Sequence, residues 1–250
     1  MNTIKILLWV LLTSSPLSAG KITIAVAANV SYAIEELKAE FMKAYPQTSV
    51  VVTMGSSGKL TAQIKNGAPY GLFMSANMKY PETLYRDKIA LGKPVVYAQG
   101  GLAYLSVQER DLSKGMALLE DEKIARIAIA NPKTAPYGKA AVEAMKRAGV
   151  YERIKAKLIY GESIAQTVSY TVTAAQIGLI AKSSLYSPHM AEYKEDLHWV
   201  SVDPKLYTPI KQGVVLLQHG RENADYKAFY DFILSDQAKK IFKRYGYIIL

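Results

Sequence analysis

The sequence predicts an α/β protein built on two mostly parallel sheets with helices on their faces. Three observations carry this. Short apolar runs of strand character alternate with segments of helical periodicity, which is the signature of βαβ units. The rhythm appears near the N-terminus and returns from the middle of the chain. The chain has 250 residues, 50% of them apolar, enough for two moderate cores.

Residues 1–19 read as a cleaved signal peptide. Lys5 gives a positive start, Ile6–Leu12 is an apolar run too short to span a bilayer, and Pro16-Leu17-Ser18-Ala19 ends on a small residue suited to cleavage. No cysteine follows to carry a lipid anchor, so the mature chain is expected to be periplasmic and soluble.

Lys21–Ala28 then reads as a strand buried on both faces. Ser31–Tyr45 carries Ile34, Leu37 and Phe41 at helical spacing, with Glu35 and Glu36 where the helix dipole favours carboxylates. Ser49–Met54 is strand-like, and Ser57–Lys65 is a short helix stopped by Asn66-Gly67. Leu72–Ser75 is a third strand. In the middle of the chain Arg126–Ala130 leads into a helix from Pro136 to about Arg147, with proline in its first turn. Lys157–Tyr160 leads into Ser163–Thr173, and Gln176–Ala181, His198–Val202 and Val214–Gln218 are later strands. Helical spacing of Ala228, Phe229, Phe232, Ile233, Ala238, Ile241 and Phe242 closes the chain. Gly and Pro punctuation near Tyr97–Gly101 and Pro209–Gly213 marks the crossings between sheets. The expected lobes are 20–100 plus 211–250 and 101–210.

The absence of cysteine excludes disulfides, thiolate metal sites and cysteine nucleophiles. The net charge of +10 comes from scattered lysines without a dense basic cluster beside stacking aromatics. With export, this argues against a nucleic-acid partner and leaves a basic field able to steer an anion.

Four strand-to-helix junctions carry small, hydroxyl or amide residues. They are Ala27-Ala28-Asn29-Val30-Ser31, Gly55-Ser56-Ser57-Gly58, Thr134-Ala135-Pro136-Tyr137-Gly138 and Gly161-Glu162-Ser163-Ile164. Such residues also serve as plain helix caps. Two junctions in each expected lobe, at strand ends where open α/β sheets place ligands, fit an anion held by helix N-termini as well as they fit plain caps.

On these residues the chain resembles the bacterial periplasmic molybdate-binding proteins. The carrying stretches are Ile24–Ser31, Gly55–Pro69, Leu72–Ala76, Asn131–Gly138, Gln176–Ile180 and Ile241–Tyr247. The resemblance implies a two-lobed, type II periplasmic binding protein fold, each lobe a mixed, mostly parallel sheet flanked by helices. It implies a monomer that holds molybdate or tungstate in a hinged cleft by neutral hydrogen bonds. Such a protein delivers its ligand to the membrane permease of an ABC importer, with no cofactor and no catalytic residue. Matched motif to motif, the ligand positions fall on Asn29, Ser57, Tyr137 and Ile164. Ala28, Ser56, Ser163 and Lys182 form a wider candidate shell.

The chain also departs from the family pattern. Asn29 stands where many members have serine, and Ala181 where a tyrosine hydroxyl is usual, with Tyr137 or Lys182 as substitutes. Gly71 and Asn131 replace common aspartates.

Two other readings compete. A different tetrahedral oxyanion, such as sulfate, fits the same loops. Ser56-x-x-Lys59 matches the nucleophile motif of exported serine acyltransferases, but no Ser-Asp-Asn triplet accompanies it. His189, His198 and His219 lack metal-ligand spacing. In this reading Ser57→Ala weakens the ligand with little effect on the unliganded protein.

Overall fold

A computed structural model describes residues 20–250; the expected signal peptide, 1–19, lies outside the described residues. The chain builds β1 (Gly20–Ala27), α1 (Ile34–Ala44), β2 (Thr48–Gly55), α2 (Ser57–Lys65), β3 (Leu72–Met74), α3 (Lys79–Arg86) and β4 (Val95–Gly100). It passes to a second sheet through β5 (Leu102–Leu105), β6 (Ile127–Ala130), α4 (Pro136–Arg147), α5 (Tyr151–Ile154), β7 (Leu158–Gly161), α6 (Ile164–Thr173), β8 (Ile177–Ala181) and β9 (Trp199–Ser201). It returns with β10 (Ile210–Leu216), α7 (Ala224–Leu234) and α8 (Asp236–Arg244).

The two sheets share one plan. The first runs β2-β1-β3-β10-β4 and the second β7-β6-β8-β5-β9. In each, three parallel strands are followed by one antiparallel strand that comes from outside the βαβ run. The central position of β1 explains its apolar sequence, for Ile22 and Ile24–Val26 are fully buried between helices on both faces. Edge strand β2 alternates buried and exposed residues along its first half. In α1, Ile34, Leu37 and Phe41 face the first core, where Phe41 meets Phe229 of α7 edge-on at 5.0 Å. Each such side chain contributes about 1.5–3 kcal/mol by leaving water.

Several expectations are revised. The first loop enters a 3-10 turn at Ala28–Val30, and α1 starts only at Ile34 rather than Ser31. A single residue, Gly101, separates β4 from β5, so the first crossing runs strand to strand. The second crossing ends before Ile210, which already pairs with Gly100 in the first sheet. At Gln212/Gly213 the pairing of β10 with β4 shifts register, Tyr97 of β4 being the extra residue. A Cβ at Gly213 would meet Met78 Sδ at 2.7 Å and Pro81 Cγ at 3.2 Å, so the start of α3 packs closely over it. Gly71 is similarly structural: the ring of Tyr226 packs where its Cβ would stand, and the Tyr226 hydroxyl accepts from Thr23 N–H at 2.9 Å.

Candidate functional site

The parallel trios aim their carboxyl ends at each other across the seam between the sheets. The loops leaving β1, β2, β6 and β7 meet there around one small, tightly lined cavity. Its wall is formed by Ala27, Ala28, Asn29, Gly55, Ser56, Ser57, Ala76, Ala135, Pro136, Tyr137 and Ile164. No Asp, Glu, Lys, Arg or His is among them. All four matched ligand positions therefore share one cavity, two from each sheet.

What these loops offer is mostly backbone. The first N–H groups of a helix have no carbonyl partner inside it and carry the positive end of the helix dipole. Side chains usually cover them, yet α2, α4 and the 3-10 turn at Ala28–Val30 have no side-chain cap. Ser56 occupies the capping position of α2 without capping it, and its Oγ is buried with no hydrogen-bond partner. Thr134 Oγ1 and Ser31 Oγ, in the adjoining loops, are also buried and unpartnered. Buried hydroxyls in this state are uncommon and call for an explanation. At α4, Pro136 takes the first position and has no N–H, so Tyr137 supplies the first free one. Ser163 differs from Ser56, because it does cap its helix, accepting from Gln166 N–H at 3.2 Å, and it stays out of the cavity wall.

Ser57 is fully buried, and its Oγ accepts from Ala76 N–H at 3.0 Å. That bond occupies a lone pair and leaves the hydroxyl proton free to be given. The expectation of an unliganded protein indifferent to Ser57→Ala is revised for this reason, since the substitution strands a buried N–H. Ala76 itself escaped the sequence reading, although it follows the third parallel strand and strand ends are where such sites form.

A profile of bacterial extracellular solute-binding proteins matches residues 22–248. The chain belongs to that family. The molybdate-binding protein ModA of Rhodobacter capsulatus is 37% identical to this solute-binding protein over 235 residues, covering 93% of this chain and 90% of the relative. The corresponding protein of Azotobacter vinelandii is 33% identical over 231 residues, covering 92% and 90%. The solved structure of the Azotobacter vinelandii periplasmic molybdate-binding protein superposes with a TM-score of 0.84 at 30% identity, covering 92% of this chain and 99% of that one. These agree with the two-lobed fold of mixed sheets that the sequence predicts.

Other candidates of this solute-binding protein sit differently from expectation. Asn29 lines the cavity, but its amide nitrogen is already engaged, donating to Gln212 Oε1 at 2.9 Å and to the Tyr247 hydroxyl at 3.1 Å. Its Oδ1 is buried without a partner. Lys182 is outside the wall, with its ammonium over the Trp199 ring at 5.8 Å. The Tyr137 hydroxyl turns away from the loops and accepts from Gln212 Nε2 at 3.1 Å. The two groups expected to substitute for the tyrosine absent at Ala181 thus both have protein partners in this structure. Asn131 Oδ1 accepts from Lys133 N–H at 3.0 Å and shapes the third loop.

Contacts across the seam hold the lobes together. Gly58 N–H donates to Thr134 O at 2.9 Å, Ser183 Oγ donates to Asn29 O at 3.1 Å, and Lys59 pairs with Glu162 at 2.7 Å. The last pair is largely exposed and contributes at most about 1 kcal/mol.

Proposed function

We infer that this protein captures a fully deprotonated tetrahedral oxyanion, molybdate or tungstate, between the lobe built on β1–β4 and β10 and the lobe built on β5–β9. The carrying observation is the cavity wall itself, where four helix starts converge, three of them uncapped, and no Asp, Glu, Lys, Arg or His is present. The proposed donors are the N–H groups of Asn29, Ser57, Tyr137 and Ile164, with the hydroxyls of Ser57 and Ser56. Charge-assisted bonds from such groups compensate the desolvation of a dianion. The names of the relatives above supply the choice of molybdate. By the same likeness the protein acts outside the cytoplasm and hands its cargo to the permease of an ABC importer. Among the described residues no helix is long and apolar enough to cross a membrane.

Catalysis by Ser56 finds no support in the geometry. Lys59, the would-be base of the Ser56-x-x-Lys59 motif, pairs with Glu162 at 2.7 Å, half exposed.

A thermal-shift and calorimetry panel of oxyanions on the mature protein tests the reading. Molybdate and tungstate are expected to raise the melting temperature strongly. Ligand at a hundred times its Kd adds about 2.7 kcal/mol. Sulfate, which is smaller, is expected to act weakly at equal concentration, and equal shifts would refute selection by size.

Salt provides an independent test. Neutral donors in a closed cavity are poorly screened, so affinity is expected to change little with ionic strength while the association rate falls. A dissociation rate rising steeply with salt would place Lys59 or Lys182 on the ligand instead.

A further inference from the structure

Behind the cavity lies a buried side-chain network centred on Gln212. This glutamine is fully buried in β10, two residues beyond the second crossing and at the register shift. Its Oε1 accepts from Asn29 Nδ2 at 2.9 Å and from the Tyr97 hydroxyl at 2.6 Å. Its Nε2 donates to the Tyr137 hydroxyl at 3.1 Å. Asn29 and Tyr97 belong to the first lobe, and Tyr137 belongs to the second. Asn29 is further held by Tyr247, whose hydroxyl donates to its carbonyl at 2.8 Å. Burial pushes the Tyr97 and Tyr137 hydroxyls well above the usual phenol range and that of Tyr247 up to about 12, so all three stay neutral.

We propose that Gln212 is a positioning residue that couples lobe closure to the ligand loops, setting oxyanion affinity without touching the oxyanion. The proposal rests on the binding function inferred above. The carboxamide meets all three partners, because it supplies an acceptor to Asn29 and Tyr97 and a donor to Tyr137. Glutamate in its place loses the donor and adds a charge close to a bound anion. An apolar residue leaves Asn29 Nδ2 with Tyr247 alone and the Tyr97 hydroxyl with only Ser75 O, at 3.4 Å, and takes the donor from Tyr137. Through Gln212, a shift of the second lobe reaches the carboxamide that holds the first ligand loop. Tyr137 carries both ends of the link, with its N–H in the cavity wall and its hydroxyl on Gln212. When the lobes part, this hydroxyl leaves and Nε2 loses its partner, so the bond favours the closed form alone.

The seat of the Tyr137 hydroxyl also depends on Gly100. A Cβ at Gly100 would overlap that hydroxyl and lie 2.9 Å from Tyr137 Cζ and 2.7 Å from Gln212 Nε2. The last residue of β4 is thus kept bare at the point where Tyr137 enters, and only in the closed arrangement does a methyl there meet the ring.

The test is a double-mutant cycle on molybdate affinity by calorimetry, using Gln212→Met, Tyr137→Phe and the pair. Each single variant is expected to weaken binding about ten-fold, in line with leaving one buried hydrogen-bonding group unpaired. The double variant is expected to be no weaker than the worse single one. Losses that multiply, or affinity unchanged in both single variants, would overturn the coupling. If Gln212→Met does not fold, Gly100→Ala replaces it. Its loss is expected to be large in the native background and smaller with Tyr137→Phe, and equal losses in both would overturn the proposal. Solution scattering of unliganded protein separates this inference from the binding function. Wild type silent to molybdate, tungstate and sulfate refutes the oxyanion reading. In that case Gln212→Met is still expected to be more expanded than wild type, and identical scattering would overturn the link.

Discussion

Gly138→Ala is expected to destabilise the protein by about 4 kcal/mol or more and to abolish ligand binding at concentrations that saturate the wild type. Gly138 is the third residue of α4, buried against the end of β6. A Cβ there would overlap the Ala130 carbonyl oxygen and stand 2.6 Å from its carbon and 3.0 Å from the carbonyl carbon of Asn131. All three obstacles are backbone of a central strand and its loop, so no rotamer change relieves them. Either α4 retreats from β6 or the third loop opens, and both move Tyr137 N–H out of the cavity wall. Denaturant unfolding and calorimetry on the variant check the two effects together. Native stability and native affinity in Gly138→Ala would contradict the packing described for α4.

For Ser57→Ala, affinity is expected to fall by one to two orders of magnitude, since a hydrogen bond to a charged group contributes about 1.5–3 kcal/mol. The unliganded protein is expected to lose about 1–3 kcal/mol as well, because Ala76 N–H is left buried without an acceptor. Ser56→Ala removes a hydroxyl that has no protein partner and is expected to leave unliganded stability within about 0.5 kcal/mol of wild type. Its effect on affinity is expected to be the smaller of the two. Comparing both variants by unfolding and by titration separates the roles. If Ser56→Ala cripples binding while Ser57→Ala is silent, the second loop presents its first serine rather than its second.

The parts of this molecule legible in the sequence are those governed by neighbours along the chain. The bounds of α2 and α4 follow from local punctuation. Gly67 takes the left-handed conformation, φ +84°, just after α2, and Pro136 opens α4. The strand-end loops are readable for the same reason, since each is a contiguous run of small and polar residues. α3 is not readable, because it is only eight residues long and carries Pro81 in its first turn, where a helix and a loop look alike. The expected start of α1 at Ser31 fails because a 3-10 turn intervenes, and nothing in Ala28–Val30 distinguishes the two helix types. The Gln212 network is hidden for a different reason. Asn29, Tyr97, Tyr137, Gln212 and Tyr247 lie in five distant segments, and only the folded sheets bring their side chains together. The one trace is a glutamine fully buried just ahead of the apolar second half of β10.

The matched strand order of the two sheets has a consequence for how a solute is held and let go. In the proposed function each lobe presents two of the four helix starts, so each would be half of a receptor and neither a whole one. An anion that lands on one half meets the other at an effective concentration fixed by two short chain crossings, one of them only Gly101. For partners so closely tied this is of millimolar order or above. Two half-sites, each too weak to retain a scarce solute, thus act as one tight site while the tether holds them in register. Parting the lobes breaks the few seam contacts, among them Gly58 to Thr134 and Gln212 to Tyr137, and with the register gone both halves revert to being weak.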